Sequence, residues 1–167
     1  MTQKAMTERD MFLQQFRRES AITTRLLKAY PANKADLKPA EKSRSARELA
    51  WVFVMEQGIA DMALKGKIDF SQPRPPAPES YAEIIAAFEK TYPETVQRIA
   101  AASDETLNRT IRFPIGPGKM GEFRTIDVLW TSLMDQIHHR GQLSVYLRLA
   151  GAKVPSIYGP TADETWM

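Results

Sequence analysis

Asp135-Gln136-Ile137-His138-His139-Arg140-Gly141-Gln142-Leu143-Ser144-Val145-Tyr146-Leu147-Arg148 holds both histidines of a 167-residue chain, side by side. The segment reads as helix. On a helix Asp135, His139, Gln142 and Tyr146 fall at i, i+4, i+7 and i+11, which is one face. Leu133, Ile137, Val145 and Leu149 read as the core residues around that polar file. A file of this kind is either solvated or does chemistry. Adjacent helical side chains point about 100° apart, so His138 and His139 cannot share the face, and His139 is the one placed over Asp135.

Working outward, this helix begins near Thr125 and stops at Gly151. Before it, Thr110-Ile111-Arg112-Phe113 and Ile115 are strand-like and Gly116-Pro117-Gly118 is a turn, giving a short hairpin or an irregular flap. An earlier helical pattern opens at Ser80-Tyr81-Ala82-Glu83, a capping box, and runs toward Ala102. Pro93 lies inside it and predicts a kink or a break after Thr91. Four prolines between Phe70 and Pro78 forbid helix and make a stiff, extended crossover. Ser45-Ala46-Arg47-Glu48 is a second capping box. It opens an apolar helix through Leu49, Trp51, Phe53, Met55 and Met62 that ends near Gly66. The first helix spans Thr7 to Tyr30, with Met11, Phe12, Phe16, Ile22, Leu26 and Leu27 at helical spacing. Ser144 is expected to bond a carbonyl one turn back. The tail Val154–Pro160 carries apolar side chains that can pack back on the body. Four long amphipathic segments joined by a long crossover predict an all-α four-helix bundle, residues 1–167 forming one domain.

Composition excludes several classes. At 43% hydrophobic and 26% charged residues the chain is ordinary for a globular protein. No apolar run approaches a membrane span, and the N-terminus is too polar for a signal peptide, so a cytoplasmic protein with no membrane partner is expected. With no cysteine, disulfides, thiolate metal sites and a cysteine nucleophile are excluded. Eleven basic residues face six acids in the first fifty positions, but without a dense stripe or a recognition motif. Solvated helix faces explain these charges better than nucleic-acid binding does. No phosphate-binding glycine loop and no nucleophile elbow is present. Arg140 and Arg148 either bind an anionic substrate, are surface charges, or pair with acids of a neighbouring helix.

Metal chemistry is the sharpest reading of the polar file. A carboxylate and an imidazole at i and i+4 can grip one ion, and a catalytic centre needs a third protein ligand beside an open position. Glu56, an acid within the apolar second helix, is the candidate, because burying it unpaired is costly. The competing reading of Asp135 and His139 is a plain helix-surface pair.

His138-His139-Arg140-Gly141-Gln142-Leu143-Ser144-Val145-Tyr146-Leu147-Arg148, followed by Gly151 and Val154–Pro160, closely resembles the end of DinB-like proteins, part of the DinB/YfiT-like metalloenzyme superfamily. The Glu48-Leu49-Ala50-Trp51 entry to the second helix supports the resemblance. It implies an up-up-down-down bundle, often a homodimer, with a divalent metal (nickel or zinc) held by one histidine of the second helix and a His-x-x-x-His pair of the last. It also implies hydrolytic or thiol-dependent transfer chemistry on a small molecule, with a low-molecular-weight thiol such as bacillithiol or mycothiol as partner. Carried over by position, His139 matches the second histidine of the pair and Asp135 stands where the first would be. Val52 stands where relatives carry the histidine of the second helix, with Glu56 one turn on. A set of Asp135, His139 and Glu56, the last as third ligand or general base, would favour a harder ion such as manganese or iron. Alternatively the site is degenerate and empty, and the bundle is a metal-free small-molecule-binding or stress-response protein. The homodimer expectation also draws on the large apolar residues Phe12, Phe16, Trp51 and Trp130.

Overall fold

A computed structural model describes residues 5–71 and 73–166. The helices are α1 (Glu8–Ala29), α2 (Ala46–Lys65), α3 (Tyr81–Ala101), the single turn α4 (Asp104–Asn108) and α5 (Thr125–Leu149). The hairpin β1 (Thr110–Gly116) and β2 (Lys119–Arg124) lies between α4 and α5. α1 packs on α3 and α5, and α2 packs on the same two helices. The two helices that come first in the chain therefore lie diagonally across the bundle. The segment between α1 and α2, residues 30–45, makes that crossing, while the extended stretch after α2 leads to its packed neighbour α3.

Local chemistry sets each boundary. Thr7 caps α1 in a box with Asp10, and Ser45 caps α2 with Glu48, its hydroxyl accepting from the Glu48 amide while the Glu48 carboxylate accepts from the Ser45 amide. The Ser80 box forms only by half: its hydroxyl accepts from the Glu83 amide at 3.4 Å. α2 stops at Gly66, whose φ of +86° suits glycine, and the Arg109 guanidinium lies where a β-carbon would project. The break predicted after Thr91 does not occur. α3 runs through Pro93, and the Thr91 and Thr95 hydroxyls donate to the carbonyls of Ala87 and Thr91 beside the interrupted ladder. The strand-like segment is an ordered antiparallel hairpin, pairing Thr110 with Arg124 and Phe113 with Gly121. Arg124 ties its base to the bundle by pairing with Glu8 of α1 and Asp127 of α5.

Two apolar clusters fill the interior. Leu26, Phe53, Phe88, Leu143 and Leu147 centre the first, and Phe12, Phe16, Ile99, Ile126 and Leu129 the second, with Tyr92 packed against both. The core expectation for α5 needs correcting: Val145 and Leu149 are 55% and 54% exposed. The buried face instead runs through Leu129, Leu133, Gln136, Arg140, Leu143 and Leu147, so two polar residues sit in the inward stripe and apolar ones outside it. Met11 of α1 is also exposed. The residues that suggested a sticky outer surface belong to the interior: Phe12 and Phe16 are buried, and Trp51 and Trp130 pack against the two clusters. Among the described residues no helix is long and apolar enough to cross a membrane.

Candidate functional site

Glu56 projects from α2 toward α5 and is only 6% exposed. Ser132 of α5 donates its hydroxyl to Glu56 Oε2 in a short hydrogen bond. Burial pushes the Glu56 carboxyl up from 4.5 to about 7. The Ser132 hydroxyl opposes that shift, while the neighbouring charge of Asp135 and a hydrogen bond shared with it add to it; the Arg74 charge works weakly the other way. Two carboxyl groups this close cannot both ionise freely, so at neutral pH the pair readily holds a proton.

Asp135 continues the line to His139, whose Nε2 lies 3.3 Å from Asp135 Oδ2. The other ring nitrogen, Nδ1, donates to Gln142 Oε1 at 2.8 Å, and the Gln142 amide in turn donates to His138 Nε2 at 3.0 Å. The amide orientation and the ring tautomers are assigned together from this network. His139 is nearly enclosed, whereas His138 is exposed. Glu56, Ser132, Asp135 and His139 line a cavity of about 310 Å³. Elements outside the four long helices roof it. Phe70 and Arg74 come from the crossover and Phe113 from β1, with the Phe70 and Phe113 rings edge to face at 6.5 Å. Arg44 borders the cavity as well, its own carbonyl accepting from the Tyr146 hydroxyl at 2.9 Å. Other concavities are larger, and among the described residues that line them there is no buried carboxyl.

The structure thus brings Glu56, Asp135 and His139 together on facing helices. Gln142 orients both imidazoles, and Tyr146 turns away to the loop before α2. Val52 lines the same cavity one turn before Glu56. Ser132, Arg74 and Phe113 escaped the sequence reading. Ser132 was within reach, since Ser132, Asp135 and His139 fall at i, i+3 and i+7. Arg74 and Phe113 were not, because only the tertiary path of the crossover and hairpin carries them there. Arg140 does not bind a substrate from this face: it is 1% exposed and pairs with Glu19 of α1. Arg148 pairs with Asp163 at 2.6 Å. Ser144 donates to the Gly141 carbonyl at 2.7 Å, one turn back.

As a cage for a metal ion the donors are incomplete. Asp135 and His139 offer two atoms at a spacing an ion could bridge, but the Glu56 carboxyl is turned to the Ser132 hydroxyl and, with its pKa raised to about 7, is only partly ionised at neutral pH. Among the described residues no group of three or more His, Cys, Asp or Glu is placed to hold an ion.

A helical bundle with a long crossover, carrying a carboxyl–carboxyl–imidazole line in a cleft between two of its helices, is the class that fold and site define. The chain belongs to the DinB family, whose model matches residues 1–166. YrdA of Bacillus subtilis strain 168, an uncharacterized protein, is 28% identical over 158 residues, covering 93% of this chain and 90% of its own. Among solved structures, a DinB-like protein from Bacillus cereus ATCC 10987 superposes with a TM-score of 0.74 at 24% identity, covering 88% of this chain and 95% of that one. YfiT from Bacillus subtilis, described as a probable metal-dependent hydrolase with an unusual four-helix bundle topology, superposes with a TM-score of 0.65 at 10% identity, covering 92% and 94%. Both likenesses are likenesses of fold.

Proposed function

We propose that the α2–α5 cleft is an acid–base catalytic site for hydrolysis or group transfer on a small molecule, with Glu56 moving the proton. The observation that carries this reading is a buried carboxyl held at a pKa of about 7 in a cavity large enough for a reactant, beside the Asp135–His139 pair. A general acid–base group works best when its pKa lies near the operating pH. A water or thiol gives its proton to Glu56 as its oxygen or sulfur attacks, and the same carboxyl returns that proton to the departing group. Burial sustains the Glu56 pKa, Asp135 adds to it, and His139, fixed by Gln142, faces Asp135 through Nε2. Arg44 and Arg74 at the cavity wall suit a reacting group on which negative charge develops.

Divalent-metal chemistry, named for the YfiT relative and implied by the family, would find two donors here in Asp135 and His139. A nickel, zinc, manganese or iron ion would have to displace the Glu56 proton to gain the third. The test uses protein purified without a histidine tag, analysed for metal and then assayed on aryl esters and with thiol donors. We expect metal-independent turnover that rises or falls through an inflection near pH 7 and drops about a hundredfold or more in Glu56→Gln. A stoichiometric metal, or turnover that appears only on adding one, would give the site to the ion instead. Turnover unchanged in Glu56→Gln would reduce the cleft to a binding module.

The homodimer and the cytoplasmic setting belong to the same proposal. Met134, Val145 and Leu149 leave an exposed apolar stripe along α5, a face that a second copy could cover. A sedimentation coefficient of a monomer at micromolar concentration would remove that part.

A further inference from the structure

α2 presents two adjacent faces to two cavities. Val52, Glu56 and Ile59 line the polar one. Trp51, Met55, Gly58 and Met62, at i, i+4, i+7 and i+11, line a second of about 340 Å³. Its far wall is the proline-rich crossover, pinned in place where the Trp51 indole N–H donates to the Pro75 carbonyl at 3.0 Å. Ile59, Phe70 and Arg74 belong to both cavities, and the Arg74 guanidinium lies over the Phe70 ring at 5.3 Å. The two chambers therefore adjoin at these three side chains. The first chamber ends in carboxyls and an imidazole, while the second is apolar except at Asp69 and Arg74.

Gly58 is the telling residue. A glycine inside a helix is destabilising relative to alanine, and no described atom comes close enough to require one there. A β-carbon built on it meets nothing within 4 Å. Packing does not need the glycine; what it preserves is open space against the crossover.

We propose that the apolar chamber is the tail subsite of the ligand whose polar head reacts at Glu56. The substrate class is then an amphipathic small molecule: a straight-chain or aryl tail along Trp51–Met62, passing Ile59, Phe70 and Arg74 to a polar head in the α2–α5 cleft. This assignment rests on the acid–base reading for the head and on the second chamber for the tail. Pockets of this size, mostly apolar with a few convergent polar groups, are the usual form of small-molecule sites.

The experiment titrates the intact protein with straight-chain primary alcohols from butanol to octanol, followed by tryptophan fluorescence, in which Trp51 reports on the chamber. The wild type should bind about fourfold more tightly per added methylene. Gly58→Leu fills the chamber and should flatten the series, with circular dichroism unchanged. Gly58→Ala should keep the melting temperature at or above that of the wild type and weaken octanol by about fourfold, the equivalent of one methylene. A wild-type series without slope, or a Gly58→Leu series as steep as the wild type, overturns the subsite. Glu56→Gln separates the two readings. A flat alcohol series alongside a dead Glu56→Gln enzyme sinks the tail subsite alone, and a steep series with undiminished Glu56→Gln turnover sinks the acid–base reading alone.

Discussion

His139 and Arg140 are neighbours on α5 and face opposite kinds of surroundings. Arg140 enters the bundle interior, where Nη2 lies 2.5 Å from Glu19 Oε2 and Nη1 donates to the Glu19 carbonyl at 3.0 Å. The Tyr158 hydroxyl closes the cluster, accepting from Arg140 and donating to Glu19 Oε2 at 2.7 Å. His139, one residue earlier, opens on a cavity in which two carboxyls of like charge stand together. Opposite charges buried together cancel and hold α1, α5 and the C-terminal tail in register. Glu56 has no opposite charge buried with it, so burial, helped by the half-exposed Asp135 beside it, raises its pKa to about 7. The first arrangement is structural; the second is the one we propose moves a proton.

The largest effect should come from breaking the closed cluster. Arg140→Ala leaves Glu19 charged and unpaired in the interior and should destabilise the fold by about 3–5 kcal/mol in urea denaturation. A double variant, Arg140→Met with Glu19→Leu, removes both charges and should recover most of that loss. If Arg140→Ala were as mild as a surface substitution, the cluster would not be the clamp described here.

The open site predicts the opposite sign. The folded-state pKa of Glu56, about 7, lies above its ordinary 4.5. Below pH 4.5 both folded and unfolded chains hold the proton and Glu56 costs nothing. Between 4.5 and 7 the unfolded chain releases the proton first, so stability falls as pH rises, levelling above 7 at a cost of roughly 3 kcal/mol. Glu56→Gln should therefore be more stable than the wild type at pH 8, by up to that amount less the altered Ser132 and Asp135 hydrogen bonds, and indistinguishable from it near pH 4. Urea midpoints across that range measure it. A variant equally destabilised at every pH would mean that Glu56 is an ordinary packing residue.

The two regions were unequally legible in the sequence. The helices were readable because caps and prolines mark their ends: Ser45 with Glu48, Gly66, and the prolines after Phe70 all act where the local rules place them. The line from Glu56 to His139 was readable in part, since i, i+4 spacing fixes Asp135 under His139 and an acid in an apolar helix needs a partner. The closed cluster was legible only as one alternative, a pairing of Arg140 with an unnamed acid of a neighbouring helix. Its members lie at 19, 140 and 158, and the inward stripe of α5 contains Gln136 and Arg140 while Val145 and Leu149 face out, so hydrophobic periodicity gives the helix the wrong phase. Of the kink or break expected at Pro93, the break is absent: packing of α3 on either side outweighs the loss of one backbone hydrogen bond. The single-turn α4 offers too short a pattern to find.

Smaller effects sharpen the contrast within α5. His139→Ala removes a nearly enclosed ring whose neighbours are Asp135 and Gln142. An i, i+4 pair contributes only a few tenths of a kcal/mol, so stability should drop by about 1 kcal/mol or less, with turnover falling roughly tenfold or more as Asp135 loses its imidazole partner. His138→Ala should do least of all. Its ring is exposed and accepts from the Gln142 amide, whose carbonyl oxygen holds His139 independently. Stability should stay within about 0.5 kcal/mol of the wild type and turnover within about twofold. Parallel measurement of the two variants is a strict test, because the same substitution is made one residue apart on one helix. If His138→Ala lowers turnover as far as His139→Ala, then Gln142 couples the rings and the site reaches to the outer face of α5. The division between adjacent positions would then rest on Arg140 alone.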